Sequence, residues 1–334
     1  MTGLLKVGFG IMRENLITGG AGFIGSHLTE LLLSRGERVT VLDDLSTGSV
    51  RNIDLFRDHP NYRYVLGSIM DRPVMMELVD RCDRIYHLAA AVGVRLIVEK
   101  PVDSIETNIR GTELVLELAA RKKRPVLIAS SSEVYGKGVR FPSSETDDLL
   151  LGPTLRPRWS YACSKMIDEF LALAYQRERG MPTVIARLFN TVGPRQAAQY
   201  GMVIPRFVRQ ALNNAPLTVY GDGSQSRAFG HVQDVVGALA GLLDKPEALG
   251  GVFNVGNDRE ITIADLARMV VERSGSQSSL QFVPFEEAYD PSFEDLARRV
   301  PNLSRIREVL GYQPQYSIEQ IVDDVIRHER EGQK

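Results

Sequence analysis

From Asn15 onward, short apolar runs alternate with stretches whose apolar residues recur at three- and four-residue intervals. The runs "NLITGG", "RVTVLDD", "YRYVLG" and "RIYHLAA" predict strands, and "SHLTELLLSRG" and "MMELVDRC" predict helices between them. The pattern continues through the helix "DSIETNIRGTELVLELAARKK", the strand "PVLIASSSEVYG", the helix "WSYACSKMIDEFLALAYQRERG" and the strand "PTVIARLFN". Such alternation predicts a doubly wound α/β fold, with a parallel sheet covered by helices on both faces. One polar, proline-containing segment interrupts it, "KGVRFPSSETDDLLLGPTLRPR", long enough to be a functional loop.

Near Gly193 the rhythm changes. The stretches "IPRFVRQALNNA", "LTVYG", "VQDVVGALAGLL" and "IADLARMVVERSG" are less regularly spaced and lead into a tail rich in Arg and Pro. We expect one main domain over residues 12–192 and a smaller C-terminal lobe mainly over 193–330, with segments such as "GVFNVGN" returning to the main sheet.

Composition narrows the partners. The chain has 334 residues, 43% hydrophobic and 25% charged, enough for a sizeable core, and its formal net charge of -2 argues against a nucleic-acid partner. The basic run Arg121 to Arg124 follows a helix and precedes a strand, so it reads as a solvated helix end. No apolar run approaches membrane-spanning length, and no membrane partner is expected. The opening "MTGLLKVGFGIM" reads as a short extension, with Met12 just before the first strand. Cys82 and Cys163 offer neither metal-ligand spacing nor a disulfide framework, so we expect no metal and a reducing cytoplasm.

"TGGAGFIG" lies between the first strand and first helix, with Gly19, Gly22 and Gly25 at spacing three. Glycines there permit a tight turn and close approach of backbone N–H groups to a pyrophosphate facing the helix N-terminus. Asp43, eighteen residues after Gly25 at the end of the second predicted strand, can accept bonds from both adenosine ribose hydroxyls and would repel a 2′-phosphate. Together they predict a Rossmann-type site for NAD rather than NADP.

In "YACSK", Tyr161 and Lys165 stand at i and i+4 and share one helix face. A phenolate base near neutrality requires lowering the phenol pKa by roughly three units, about 4 kcal/mol. One ammonium at about 4 Å and an effective dielectric of about 20 supplies on the order of 4 kcal/mol, so Lys165 is expected to tune Tyr161. Ser131, in "SSSEVYG" at a predicted strand end, can polarise the same substrate oxygen.

"TGGAGFIG", "HLAA", "SSSEVYG", "YACSK" and "RLFNTVGPRQ", in this order, resemble the extended short-chain dehydrogenase/reductases that modify nucleotide sugars, over nearly the whole chain. The resemblance implies tightly held NAD, a lobe for the nucleoside diphosphate, and Ser131, Tyr161 and Lys165 as the catalytic triad. It places Gly19, Gly22, Phe23, Ile24, Gly25, Asp43, Ser68, Ile69, Ala89 and Asn108 on the cofactor, together with Tyr161 and Lys165. Gly67-Ser68-Ile69 departs from the common Gly-Asp-Ile, whose acid contacts adenine. For the UDP-sugar, it points to Asn190, Arg195, Val203, Thr218, Tyr220 and Arg227, with Arg227 as a phosphate contact.

These relatives first oxidise the sugar at C4 to a ketone. Ser132-Glu133 stands where 4,6-dehydratases carry Asp-Glu, so dehydration is disfavoured. "SEVYG" and "FEDLARRVPNLSRI" resemble the segments of UDP-glucuronate decarboxylases, which makes Ser132, Glu133 and Arg299 candidates around C6. Arg195 in "GPRQ" resembles the arginine of uronate 4-epimerases and keeps a UDP-glucose or UDP-glucuronate 4-epimerase open as the alternative. A non-catalytic dinucleotide sensor is a third reading, against which the complete Ser, Tyr, Lys set argues. Family members commonly dimerise through the Tyr-Lys helix, so the resemblance also implies a homodimer.

Overall fold

The structure, a computed structural model, describes residues 12–92, 100–138, 140–197, 202–284, 287 and 298–332. The opening extension and residues 293–297 of the decarboxylase-like stretch lie outside the described residues. Six strands alternate with helices along the first part of the chain: β1 (Glu14–Thr18), β2 (Arg38–Asp43), β3 (Tyr62–Leu66), β4 (Arg84–His87), β5 (Val126–Ser131) and β6 (Thr183–Leu188). Short strands follow as β7 (Thr191–Val192), β8 (Leu217–Tyr220), β9 (Ser226–Ala228), β10 (Gly230–His231), β11 (Gly251–Val255), β12 (Glu260–Thr262), β13 (Leu280–Val283) and β14 (Arg298–Arg299). The main sheet has seven strands, all paired in parallel, in the order β11-β6-β5-β4-β1-β2-β3. Strand order reverses between β1 and β4, and a crevice forms outside the carboxyl ends of strands at such a point.

Ten helices are labelled here: α1 (Phe23–Ser34), α2 (Val50–Asp54), α3 (Arg72–Arg81), α4 (Pro101–Lys122), α5 (Arg158–Arg179), α6 (Val203–Leu212), α7 (Val232–Asp244), α8 (Ile263–Ser274), α9 (Ser304–Leu310) and α10 (Ile318–Gly332). Consecutive strand residues supply the two faces of the sheet. Ile17 and Tyr86 face α1 and α7, joining Leu28, Leu32, Val235 and Leu239. Their neighbours Leu16 and Ile85 face α3 and α4, joining Met75, Leu78, Val115 and Leu116. Both layers are buried, so parallel strands such as β4 are buried at every position, as a sheet covered on both sides requires. Truncating Leu28 to Ala there would cost about 2–5 kcal/mol.

The C-terminal lobe has its own core, built from Phe207, Leu217, Val219, Leu266, Val270, Ile321 and Val325. Two late segments leave it. β11, from "GVFNVGN", pairs with β6 at the sheet edge, and α7 packs against α1. The stretch "VQDVVGALAGLL" therefore belongs to the main body and not to the lobe in which its chain position put it. The physical reason is its breadth of burial: Val232, Val235, Val236, Ala238, Leu239, Ala240, Leu242 and Leu243 are all covered, more than one apolar stripe.

The polar loop after β5 is stitched to the far end of the chain. Ser143 N donates to the Val300 carbonyl at 2.9 Å and Asn302 N donates to the Ser143 carbonyl at 2.8 Å. β14 pairs with β9 so that Arg299 lies in register with Arg227. These backbone bonds carry Arg299 to the mouth of the crevice.

Candidate active site

One cavity of about 810 Å³ runs from the carboxyl ends of β1 to β3 across to the C-terminal lobe. Its floor begins with the glycine turn. Gly19 has φ +74, and a Cβ there would stand 2.7 Å from the Ala89 backbone nitrogen. A Cβ on Gly25 would strike the Gly19 carbonyl oxygen, and Gly22 caps α1 with no side chain over the helix N-terminus. The backbone here leaves room only for a ligand that approaches amides closely, with Phe23 and Ile24 beside it on the cavity wall. The Asp43 carboxylate accepts from Ala21 N at 2.9 Å and Leu45 N at 2.8 Å. Burial pushes its pKa up while both amides pull it down, with the balance upward. Two amides use only part of a carboxylate's acceptor capacity, so the oriented group retains lone pairs for ribose hydroxyls. The cradle fits a dinucleotide.

At the adenine side, Ser68 and Ile69 line the cavity. Ser68 Oγ accepts from Met70 N at 3.2 Å, while Ile69 fills the space left by Gly111 on α4. Ala89 lines the opposite wall. Asn108 does not face the cavity. Its Oδ1 accepts from Ala91 N at 2.8 Å and its Nδ2 donates to Ser164 Oγ at 3.2 Å. It braces the wall against α5, and direct contact with a cofactor is not what this geometry offers.

Ser131 ends β5, and Tyr161 and Lys165 project from α5 into the same space. The Ser131 hydroxyl faces the same space as the Tyr161 phenol and pulls its pKa down. The phenol departs from the lowered pKa that its spacing from Lys165 predicts. Burial pushes Tyr161 above its ordinary value, and the pull of Lys165 and Ser131 does not overcome it, because Glu133 and Asp168 push the same way as burial. Burial is the chief cause; one turn along the helix Lys165 Nζ donates to Asp168 Oδ2 at 3.2 Å, with both side chains buried, and this carboxylate offsets part of the ammonium's pull.

Next to the triad, Ser132 opens a 3₁₀ turn (Ser132–Tyr135) that aims Glu133 into the cavity. Arg299 Nη2 donates to Glu133 Oε1 at 2.6 Å, and Arg158 Nη2 donates to Oε2 at 3.1 Å. Burial alone would raise the Glu133 pKa; the two guanidinium groups overcome it and hold the carboxyl below its usual range. Glu133 is therefore an anion and a poor proton donor. Two cations around one anion leave this end of the cavity with a surplus positive charge. Arg158 was absent from the sequence-based set. Its signal was available, since it precedes Tyr161 by three residues and so shares its helix face.

Toward the lobe, Asn190, Val203, Tyr220 and Arg227 line the cavity. Asn190 Nδ2 donates to the Ala228 carbonyl at 3.2 Å, and Arg227 Nη1 to the Ser226 carbonyl at 2.8 Å. The guanidinium of Arg206, not foreseen from sequence, sits 4.3 Å from the Tyr220 ring centre. Thr218, expected to touch substrate, does not reach the cavity. Its carbonyl accepts from Arg206 at 3.1 Å and its hydroxyl accepts from Gln210 at 3.0 Å, so it orients Arg206 from behind. Arg195 lines the cavity with φ +68, but Nη2 donates to Glu30 Oε2 at 2.6 Å and Nη1 lies 3.5 Å from Ser26 Oγ, both on α1. That corrects its assignment to the sugar carboxylate: the guanidinium is drawn to the pyrophosphate-side helix. Among the described residues no cluster of His, Cys, Asp and Glu could hold a metal ion, and no helix is long and apolar enough to cross a membrane.

A family model described as GDP-mannose 4,6 dehydratase matches residues 16–325. The UDP-N-acetyl-alpha-D-glucosaminuronate decarboxylase of Bacillus cytotoxicus is 42% identical, over 96% of this chain and 98% of its own. UDP-glucuronic acid decarboxylase 2 of Arabidopsis thaliana is 37% identical, over 94% of this chain and 68% of its own. Among solved structures, the UDP-glucuronic acid 4-epimerase of Bacillus cereus, in complex with UDP-glucuronic acid and NAD, superposes with a TM-score of 0.85 at 28% identity, over 95% of this chain and 99% of that one. The matches and the cleft agree on a dinucleotide-dependent enzyme with a Rossmann-type body. The chain belongs to the extended short-chain dehydrogenase/reductase family, in its nucleotide-sugar group.

Proposed function

We propose that this chain is an NAD-dependent UDP-hexuronate decarboxylase that works through a 4-keto sugar. The observation that carries the reading is the Arg158–Glu133–Arg299 cluster beside Ser131 and Tyr161, a cationic pocket end suited to a sugar whose C6 is a carboxylate. The decarboxylases of Bacillus cytotoxicus and Arabidopsis thaliana support the same class, one with a 2-acetamido and one with a 2-hydroxy sugar. NAD, when bound, would take the hydride from C4 and give it back to C4 once CO₂ has left, and in its oxidised form would add a further positive charge to the site. Tyr161 takes the proton from the 4-hydroxyl and later returns it, while Ser131 hydrogen-bonds the same oxygen. Lys165 would hold the nicotinamide ribose.

With a ketone at C4, the C6 carboxylate belongs to a β-keto acid. The C5–C6 bond breaks, CO₂ leaves, and the electron pair passes into an enolate on O4, where Tyr161 and Ser131 stand as donors; C5 then gains a proton from water. Glu133 serves by being charged. It occupies part of both guanidinium groups, so the substrate carboxylate is attracted but not locked in a ground-state salt bridge that loss of CO₂ would have to break. Asn190, Tyr220 and Arg227 hold the uridine diphosphate. Residues 12–192 serve mainly the dinucleotide and 193–330 mainly the nucleotide sugar.

Incubation with NAD⁺ and, separately, UDP-glucuronate and UDP-N-acetylglucosaminuronate, followed by NMR of the products, tests the reading. A UDP-pentose supports it. UDP-galacturonate or its 2-acetamido counterpart would establish an epimerase instead, and turnover of UDP-glucose alone would remove the uronate from the account. A homodimer is part of the proposal, supported by Val102 and Ile105 of α4 and Ile167 and Phe170 of α5, exposed apolar side chains on two helices that pack together. Light scattering at twice the chain mass is expected. The cytoplasmic setting is likewise proposed, supported by Cys82 and Cys163 both being free thiols.

A further inference from the structure

Behind Lys165 lies a file of buried polar side chains that neither cofactor nor sugar would touch. Asp168 is fully buried and pairs with Lys165 at 3.2 Å. The Thr112 hydroxyl of α4 acts on the Asp168 carboxylate electrostatically, and Asp168 Oδ1 has no hydrogen-bond partner among the described residues. Thr112 Oγ1 is 3.1 Å from His87 Nε2, and His87 Nδ1 is 2.8 Å from Thr18 Oγ1. Thr18 Oγ1 in turn accepts from Ala89 N at 3.4 Å. The file thus joins the end of β1 and the "HLAA" wall to the ammonium beside Tyr161.

His87 is buried, and burial together with the Lys165 charge brings its pKa down to about 3, so the ring is neutral and carries one N–H. Thr18 has no acceptor among its hydrogen bonds other than Nδ1, so its hydroxyl donates there. At the other end, an anionic carboxylate draws the Thr112 hydroxyl toward Asp168, which leaves Thr112 Oγ1 to accept from Nε2. Both ends demand the same tautomer, Nε2–H, and every donor in the file then points toward Asp168. An acceptor-only carboxylate is the one terminus that suits such a file.

We infer that Asp168 is a positioning residue for Lys165 and, as the terminal acceptor of this oriented file, sets the pH at which Tyr161 ionises. The inference rests on Tyr161 being the base of the proposed reaction. Glu133 pushes the phenol in the same direction as Asp168 and is the larger of the two, but it is not paired with Lys165. Glu169 is engaged by Arg187 at 2.7 Å, Glu133 by Arg158 and Arg299, and His87 is neutral. Asp168 is the anion that holds the ammonium directly, and its charge favours the protonated phenol. Replacing it by Asn removes that charge with little change of shape.

The test has two arms. In Asp168→Asn, the acid limb of the pH profile for sugar oxidation, and the tyrosinate absorbance that Tyr161→Phe removes, should both move to lower pH by about one unit or more. Asp168→Glu should restore the wild-type midpoint. A uniform loss of rate with unmoved midpoints, or a shift to higher pH, would overturn the inference. In the wild type, nitrogen-15 NMR of the histidines, with His87 assigned by its loss in His87→Asn, should show a neutral Nε2–H ring from mildly acid to alkaline pH. An Nδ1–H ring, or a ring that titrates in that range, contradicts it even if Asp168→Asn does not fold. If the wild type oxidises no UDP-sugar, the functional reading fails, while the absorbance and NMR arms still decide this inference.

Discussion

Two ionic clusters flank the cleft, one buried and one half-buried, and they differ in their charge balance. At the Tyr161 end, Lys165 and Asp168 pair one to one, and the phenol beside them is pushed above its ordinary pKa, with burial the largest cause. At the Glu133 end, Arg158 and Arg299 outnumber the carboxylate, and Glu133 is pushed below its ordinary pKa in spite of burial. A neighbouring cation shifts a titrating group only as far as its charge is uncompensated. The balanced cluster keeps a base in reserve for an incoming positive charge; the unbalanced one is a standing attraction for an anion. The division matches a reaction in which a proton moves at O4 and a carboxylate sits at C6.

The sharpest break of this comparison is Tyr161→Phe. Removing the proton acceptor is expected to lower kcat by about 10²–10⁴-fold in steady-state assays of UDP-glucuronate turnover, with UDP-sugar binding retained. Next comes Arg299→Met, which brings the Glu133 end to charge balance. A fall of about 10²-fold in kcat/KM is expected for UDP-glucuronate, with much less change in single-turnover oxidation of neutral UDP-glucose. Equal losses for both sugars would mean that Arg299 merely shapes the site.

A smaller effect is expected from Gly19→Ala, which leaves both clusters intact. At φ +74 the new Cβ is strained by on the order of 1–2 kcal/mol and presses on Ala89, so calorimetry should show NAD binding weakened by about tenfold or more. The mildest prediction concerns stability against pH. Glu133 has a folded pKa below its unfolded value, so its stabilisation is complete above the unfolded value and is lost as pH falls through the folded one. His27 and His87, lowered from 6.5 to about 4 and about 3, add to the trend, because unfolded rings bind protons that the folded ones refuse. Tm by scanning calorimetry should therefore drop as pH falls below 6.5, and Arg158→Met should move the Glu133 part of the loss to higher pH.

The cofactor half was legible in the sequence because it depends on backbone. Glycines at fixed spacing and a carboxylate at a strand end announce themselves locally. Tyr161 and Lys165 were legible for a similar reason, sharing a helix face. The charge balance around them was not. Asp168 and Arg158 lie within a turn of the pair, but their meaning depends on which residues they meet, and Glu133 belongs to another element. Thr218 shares a strand face with Tyr220, yet the side chain of Gln210 from α6 covers it. Arg195 stands in a motif that suggests a sugar carboxylate, while Glu30, far away in the chain, holds its guanidinium.

The most direct test of the charge-surplus account follows the carbon it is meant to release. With UDP-glucuronate carrying carbon-13 at C6, the account predicts that the label leaves as CO₂ in step with formation of a UDP-pentose, and that Arg299→Met slows this release more than it slows oxidation at C4. Label retained in a UDP-hexuronate epimer would contradict it.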